Sequence, residues 1–594
     1  MIPTPLRIPA FLASALIAFT AMTAHAADTV SGVMDELVTR IYADLSQEAR
    51  TQLTQDKILA MLSEKEKEVL STRYVHFDVN VPVVVSVMRE MGQETVPFWL
   101  DKSGFEKTDL IVTNTENWQY EVWQKEFDAG HVGLGINGFD QHRAHYFISV
   151  GAKSQIAPLK LTNLVPDKYS VGWVHEGAFV YHDWDELHLK EVPDQLVGDR
   201  LITTIRGRAR EAHLIGGFRE TPTPSSETPD QIALTWNGDT ATTQSVQWRT
   251  STAVENGVVA YREYDGPETF SQVTAERVRI ENRMLANDRY CNHFTGRLTG
   301  LKPDTTYVYK VGDPDTGNWS DTHQFHTGPA KDKPFTFITF GDTHQHPVYG
   351  QLLDTAIQKN PDAAFVMIAG DLVNTGQYRD HWDIFHQVSN GGYTGTRLVP
   401  AVGNHDAIDG LGAGMFRTQF DLPENGPEDL PTERTYTLRY GNTELFILDS
   451  TLPIVDQGPW LEEQLQQSDA TWKVAMFHFP AYNYEEPYPE IRSLWGYLFD
   501  KYHVDIVLTG HIHYYMRSHP MRQDNPRETP ADGTIHVLSI GIPNRKFDLP
   551  PAEYAAVQFT GPGLYQTFKV DGPKLTFEAW DQDGDLRDSF TIEK

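Results

Sequence analysis

The chain has 594 residues, of which 40% are hydrophobic and 22% charged, and its formal net charge is −31. At ~150 residues per domain that length calls for three to four domains of ordinary globular composition. No basic excess exists to neutralise phosphates, which argues against nucleic acid or an anionic membrane as a general partner.

Residues 1–26 read as a secretory signal. Arg7 supplies a positive start, 8–23 (IPAFLASALIAFTAMT) is apolar, and Ala24-His25-Ala26 has the small-x-small cleavage pattern. The apolar run falls short of the ~20 residues a membrane span needs, and no other segment is long enough to cross a bilayer. No cysteine follows the cleavage point, which argues against a lipoprotein. The expected mature chain is exported, periplasmic or extracellular, with no membrane span. Cys291 is its single cysteine, so no intramolecular disulfide can form. That thiol is read as a small buried hydrophobe.

Residues 27–215 predict an α+β domain of unknown role. Val33, Leu37, Ile41 and Leu45 recur at helical spacing, and Ile58, Leu62 and Val69 add a second apolar face. The pattern then turns to strands in 74–88 and 145–150. Trp173, His175, His182 and Trp184 are read as core aromatics rather than a binding surface.

Residues 216–332 predict an all-β module. Alternation in 231–236 (QIALTW) and 244–249 (QSVQWR) predicts paired strands. The stretch 298–312 (LTGLKPDTTYVYKVG) resembles a fibronectin type III-like sandwich, turning at Pro303 and burying Tyr307 between the sheets. The linker 327–334 leads into the last region, 333–594.

That region carries five short motifs, each after an apolar strand-like run. The run 336–340 leads to Gly341-Asp342-Thr343-His344, and 364–369 to Gly370-Asp371. The run 397–402 leads to Gly403-Asn404-His405-Asp406, 472–477 to His478, and 504–509 to Gly510-His511-Ile512-His513. Helical stretches such as 347–359 and 457–468 imply crossover connections and a mixed sheet stack. In open α/β sheets ligands gather beyond the carboxyl ends of the strands, so five distant pieces can share one crevice. Asp, Asn and His offer oxygen and imidazole donors suited to borderline divalent metals. His346, His381, His386, His503 and His519 match no motif and are read as ordinary surface or supporting residues. The acidic turn 581–585 (DQDGD) lacks a full calcium loop and reads as a hairpin turn.

The ordered set of five motifs resembles the calcineurin-like metallophosphoesterases. The all-β module in front makes the resemblance closest to the purple acid phosphatase branch, over roughly residues 220–594. The implied fold is multidomain: an α/β metallophosphoesterase domain, a mixed β-sandwich flanked by helices, behind the all-β sandwich and the N-terminal α+β region. The implied ligands are Asp342, His344, Asp371 and His513 for one metal. For the other they are Asp371, Asn404, His478 and His511, with Asp371 as the bridge. Two divalent ions (zinc, manganese or iron) would activate a bridging hydroxide for in-line attack on a small phosphorylated substrate. His405 would protonate the leaving group, and Asp406 would orient its ring.

Departures from the family pattern also inform. Purple enzymes place a tyrosine three residues after the second aspartate, and here that position is Asn374. His344 stands where they usually lack histidine, so the site resembles the non-purple form, with no ferric–phenolate centre. Tyr378 is near but wrongly spaced. The histidine pair that plant members carry after the fourth motif is missing from 479–502. The implied function is an exported phosphomonoesterase; a phosphodiesterase with the same metals and a non-catalytic surface-binding protein are the alternatives.

Overall fold

The computed structural model describes residues 28–140, 144–154, 157–167, 169–181, 187–204, 212–407 and 412–594. The signal expected at 1–26 lies outside them, as do His182 and Trp184. The chain divides into two compact units, Met1–Gly217 and Phe218–Lys594. Among the described residues no helix is long and apolar enough to cross a membrane.

The first unit opens with short helices, Val30–Asp44, Gln47–Thr51, Gln55–Ala60 and Glu64–Thr72. Each is capped by a hydroxyl, from Thr29, Ser46, Thr54 and Ser63, which satisfies a backbone N–H that the helix leaves free. Val33, Leu37 and Ile41 are buried, but Leu45 is the extended C-cap and only half-buried. A three-stranded sheet (130–134, 75–79, 161–165) and a seven-stranded sheet follow, with every strand pairing antiparallel. The reading of Trp173 and His175 as core residues is corrected. Trp173 ends the edge strand Val171–Trp173 and is 56% exposed, its ring covered by the Arg200 guanidinium at 4.2 Å. His175 is exposed beside it in sequence. An edge strand presents an open face, and a cation over indole stabilises the ring there without burial.

The second unit begins with a sandwich of two antiparallel sheets. One contains Asp230–Thr235, Gln244–Ser251, Tyr290–Leu298 and Glu276–Glu281, and the other centres on Val258–Glu263 and Thr306–Asp313. The first two strands pair as their alternation predicts. Tyr307 is buried, and its hydroxyl accepts the Lys302 N–H at 2.9 Å. That bond ties the Pro303 turn to the core and is the tyrosine-corner arrangement. Cys291 is buried on the strand Tyr290–Leu298 of the facing sheet, and burial pushes its thiol up to about 11, consistent with an inert packing role.

Two mixed sheets form the rest of the unit. In one, Arg397–Pro400, Ala363–Ile368 and Phe335–Phe340 run parallel and the C-terminal strands 564–571, 574–581 and 586–593 extend it antiparallel. In the other, Thr443–Ile447, Trp472–Met476, Ile506–Thr509 and Ile535–Leu538 run parallel. Their facing sides bury one core that includes Phe337, Val366, Leu398, Leu445, Val474 and Ile506. Helices Pro347–Lys359, Arg379–Val388 and Ile454–Gln467 make crossovers between parallel strands. Proline at the first helical position and His346, whose Nδ1 accepts the Val348 N–H, start the first of these. The turn at 581–585 is a hairpin: Asp581 accepts the N–H groups of Asp583 and Asp585 and pairs with Arg587.

Ion pairs join the all-β sandwich to the mixed sheets. Arg249 meets Asp383 at 2.8 Å and Arg379 meets Asp288 at 2.7 Å, both pairs buried, while the half-exposed Arg297 meets the buried Asp421 at 2.6 Å. The two therefore share a desolvated polar seam, which a flexible tether would not produce.

Candidate metal centre

Every motif lies just past the carboxyl end of a parallel strand. Asp342 follows Phe340, Asp371 follows Ile368, Asn404 follows Pro400, His478 follows Met476, and His511 and His513 follow Thr509. The glycines before two of these are required by close approach. A Cβ on Gly403 would sit 2.1 Å from Asp371 Oδ1, and one on Gly510 would sit 2.2 Å from Asp342 Oδ1. Four residues here hold left-handed backbone conformations: His344 (φ 45), Gln345 (φ 44), Asp371 (φ 52) and His511 (φ 73). Such positions cost about 1–3 kcal/mol each and persist where surrounding contacts over-determine them. Those contacts are present, since the Thr343 and His344 N–H groups both bond the Asp371 carbonyl.

The side chains converge as two groups able to hold an ion each: Asp342, His344 and His513, and Asp371, His478 and His511. In the first, His513 Nε2 is 3.1 Å from Asp342 Oδ2 and 3.3 Å from His344 Nε2. In the second, His478 donates Nδ1–H to the Ala369 carbonyl at 2.8 Å, leaving Nε2 to face Asp371 Oδ2 at 3.2 Å and Asn404 Oδ1 at 2.9 Å. Asp371 Oδ2 also lies 3.8 Å from His344 Nε2, so this oxygen stands between the groups. All seven expected ligand residues are thus brought together.

The donor set fits two divalent cations. Asp342 and Asp371 are both buried, and burial alone would push their carboxyls up. The imidazoles around them hold both below the usual carboxylate range, Asp342 well below. Two imidazole Nε2 atoms 3.3 Å apart, both turned to one carboxylate, are the arrangement a shared cation organises. Asn374, at the position of the purple enzymes' tyrosine, turns its amide toward the His344 carbonyl. Tyr378 lies under the Arg219 guanidinium at 3.4 Å and belongs to neither group.

The expectation that Asp406 orients the His405 ring is corrected. His405 Nδ1 is 2.8 Å from the Asn374 carbonyl, which accepts its proton and leaves Nε2 free. The buried Asp406 carboxylate instead accepts three backbone N–H groups, from Gly403 at 3.0 Å, Val373 at 3.2 Å and Leu372 at 3.3 Å. Asp406 therefore clamps the loop of Asp371 to the loop of Asn404. The His405 N–H adds a bond to Asp371 Oδ1 at 2.8 Å.

Sequence reasoning missed several supports. Gln345 accepts the Asn374 N–H, and Asn544 donates to the His513 carbonyl at 2.7 Å. Tyr515 and Arg517, on the strand Tyr515–Ser518 that leaves the last motif, both bond Asp588 on the C-terminal strand. Glu486, in the segment 482–490 (YNYEEPYPE), reaches His511. None of these partners follows from spacing, because each crosses between separate loops.

Comparison with known proteins agrees with this geometry. Residues 229–327 match the family described as purple acid phosphatase, N-terminal domain, and 335–515 match calcineurin-like phosphoesterase. An uncharacterized protein of Mycobacterium tuberculosis is 26% identical over 369 residues, covering 52% of this chain and 68% of its own length. Fe(3+)-Zn(2+) purple acid phosphatase 12 of Arabidopsis thaliana is 24% identical over 324 residues, covering 51% and 67%. The structure of purple acid phosphatase PPD1 from yellow lupin (Lupinus luteus) seeds has the same fold, with a TM-score of 0.55 at 17% identity. It covers 88% of this chain and 91% of that one, a share that reaches into the first unit. Residues 229–327 are thus a purple acid phosphatase-type N-terminal domain and residues 335–515 a calcineurin-like phosphoesterase domain, the make-up of a purple acid phosphatase-like, metal-dependent phosphatase.

Proposed function

We propose that the protein is an exported dinuclear-metal phosphomonoesterase of the non-purple kind. The observation that carries this reading is the position of Asp371 Oδ2 between His344 and His478, which fits one carboxylate shared by two ions. Asp342, His344 and His513 would complete one site, and Asn404, His478 and His511 the other. Bound there, zinc, manganese or ferrous iron would supply an acidified water and neutralise the phosphoryl oxygens. The chain's own contribution is positional. Left-handed turns and the Asp406 clamp fix the ligand loops, and the Ala369 carbonyl fixes the His478 tautomer.

His405 is suited to leaving-group protonation. Its ring is edge-on to His344, with centroids 4.9 Å apart, and its Nδ1 is engaged, so Nε2 is the atom available to a departing oxygen. Burial lowers its pKa, which eases release of that proton. Export rests on the pattern at 1–26 and is checked by N-terminal sequencing of the secreted protein, which should begin at Ala27. The activity is tested with 4-nitrophenyl phosphate against bis(4-nitrophenyl) phosphate on metal-loaded protein. Faster turnover of the monoester supports the reading, faster turnover of the diester replaces it with a phosphodiesterase, and no turnover of either contradicts both. A strong visible absorption band in the purple region would contradict the non-purple ligand set.

A further inference from the structure

His478 and His511 both flank the second candidate ion position, yet different ring nitrogens are engaged. His478 gives Nδ1–H to a backbone carbonyl and keeps Nε2 for the site. On His511 it is Nε2 that faces another protein group, Glu486 Oε2 at 3.4 Å. A histidine whose Nε2–H is directed at a carboxylate carries its lone pair on Nδ1, and Nδ1 is then the only atom it can offer an ion.

The loop that brings Glu486 there is built for the purpose. Asn483 folds it: its Oδ1 accepts the N–H of Glu485 at 2.9 Å and of Glu486 at 2.7 Å, and its Nδ2 donates to the carbonyls of Glu486 at 2.7 Å and Pro480 at 3.1 Å. The Tyr488 hydroxyl donates to the same Glu486 oxygen that faces His511. The rings of Phe479 and Tyr488 stack on each other, and both lie against His511, at 4.6 and 6.1 Å between centroids. His511 is thus packed against a stacked aromatic pair that meets it at a steep angle, and at Nε2 it faces a carboxylate that its own loop fixes.

Resting on the dinuclear reading above, we propose that Glu486 is a positioning residue that sets the tautomer and orientation of His511 for the second ion. It touches neither substrate nor metal in this scheme. Partners of this kind typically change metal affinity by about 10- to 100-fold when removed.

The test uses the full chain with zinc alone as the probe, comparing wild type, Glu486→Ala, Glu486→Gln and Tyr488→Phe. Stoichiometry comes from elemental analysis and the two affinities from chelator competition, with thermal melting as a check of folding. Glu486→Ala should hold the tighter ion as wild type does and the weaker ion about 10- to 100-fold less tightly. Glu486→Gln keeps an acceptor oxygen and should recover most of that loss. Tyr488→Phe should weaken the same ion by a smaller factor, which carries the test if Glu486→Ala does not fold. Unchanged affinities in both Glu486→Ala and Tyr488→Phe would overturn the proposal. So would a glutamine variant as weak as alanine, which marks a direct ligand. Wild type that binds no zinc would instead sink the dinuclear reading itself, so the two failures are separable.

Discussion

His405 donates its Nδ1 proton to the carbonyl of Asn374, across 2.8 Å, and not to its sequence neighbour Asp406. This places a backbone group behind the ring, and a backbone acceptor survives any side-chain change at position 374. His405→Ala should therefore keep both metals while slowing turnover about 10²- to 10⁴-fold, the usual worth of a general acid. Esters with poor leaving groups should suffer most. Equal loss for good and poor leaving groups would remove the proton-donor role.

Asp406→Ala should act on stability and metal retention before chemistry. Three buried backbone N–H groups lose their acceptor, and each unsatisfied donor costs about 1–3 kcal/mol. A fall of about 3 kcal/mol or more in denaturant unfolding is expected, with weaker metal binding alongside. A variant of full stability that had lost only its leaving-group dependence would restore the ring-orienting role.

The seam between the all-β sandwich and the mixed sheets gives a third expectation. Asp383→Ala leaves the buried Arg249 with the half-exposed Asp230 and the Thr223 carbonyl as its remaining partners. Breaking a buried pair from one side costs about 3–5 kcal/mol. The unfolding midpoint should drop accordingly while metal content at neutral pH stays the same. An unchanged midpoint would mean the seam is solvated and contributes little.

Metal removal should expose a pH dependence. Burial opposes charge on His478, but the carboxylate of Asp371 beside it wins and pushes the imidazole up to about 9. A raised histidine contributes stability that is fully present below its unfolded value of about 6.5 and lost as pH rises through about 9, here on the order of 3 kcal/mol. Asp406 is pushed up to about 7 by burial and by Asp371, so its cost also grows as pH rises toward neutrality, in the same direction. Chelated protein should lose melting temperature from about pH 7 to about pH 9. Metal-loaded protein should not, because a ligated imidazole has no proton to lose in that range. Parallel profiles for the two forms would show that these side chains do not hold the metal.

The convergence of the candidate ligand residues was legible because their chemistry sits at one kind of place. Asp342, Asp371, Asn404, His478 and His511 each follow a buried strand, and a glycine precedes four of the five where loops pack against one another. The roles of Asp406, Asn374 and Glu486 were not legible. Adjacent residues in a turn point in different directions, so His405 and Asp406 part company although they are neighbours. Asn374 acts through its carbonyl, which every residue possesses, and Glu486 reaches His511 from another loop. The aromatics near position 173 failed for a related reason: composition does not say which strand is an edge, and Trp173 lies on one.

The most direct test is anomalous diffraction from crystals of metal-loaded protein, collected at the edge of the bound metal. The account predicts two peaks about 3.5–4 Å apart, one among Asp342, His344 and His513 and one among Asn404, His478 and His511, with Asp371 between them. A single peak, or peaks away from these side chains, would contradict it.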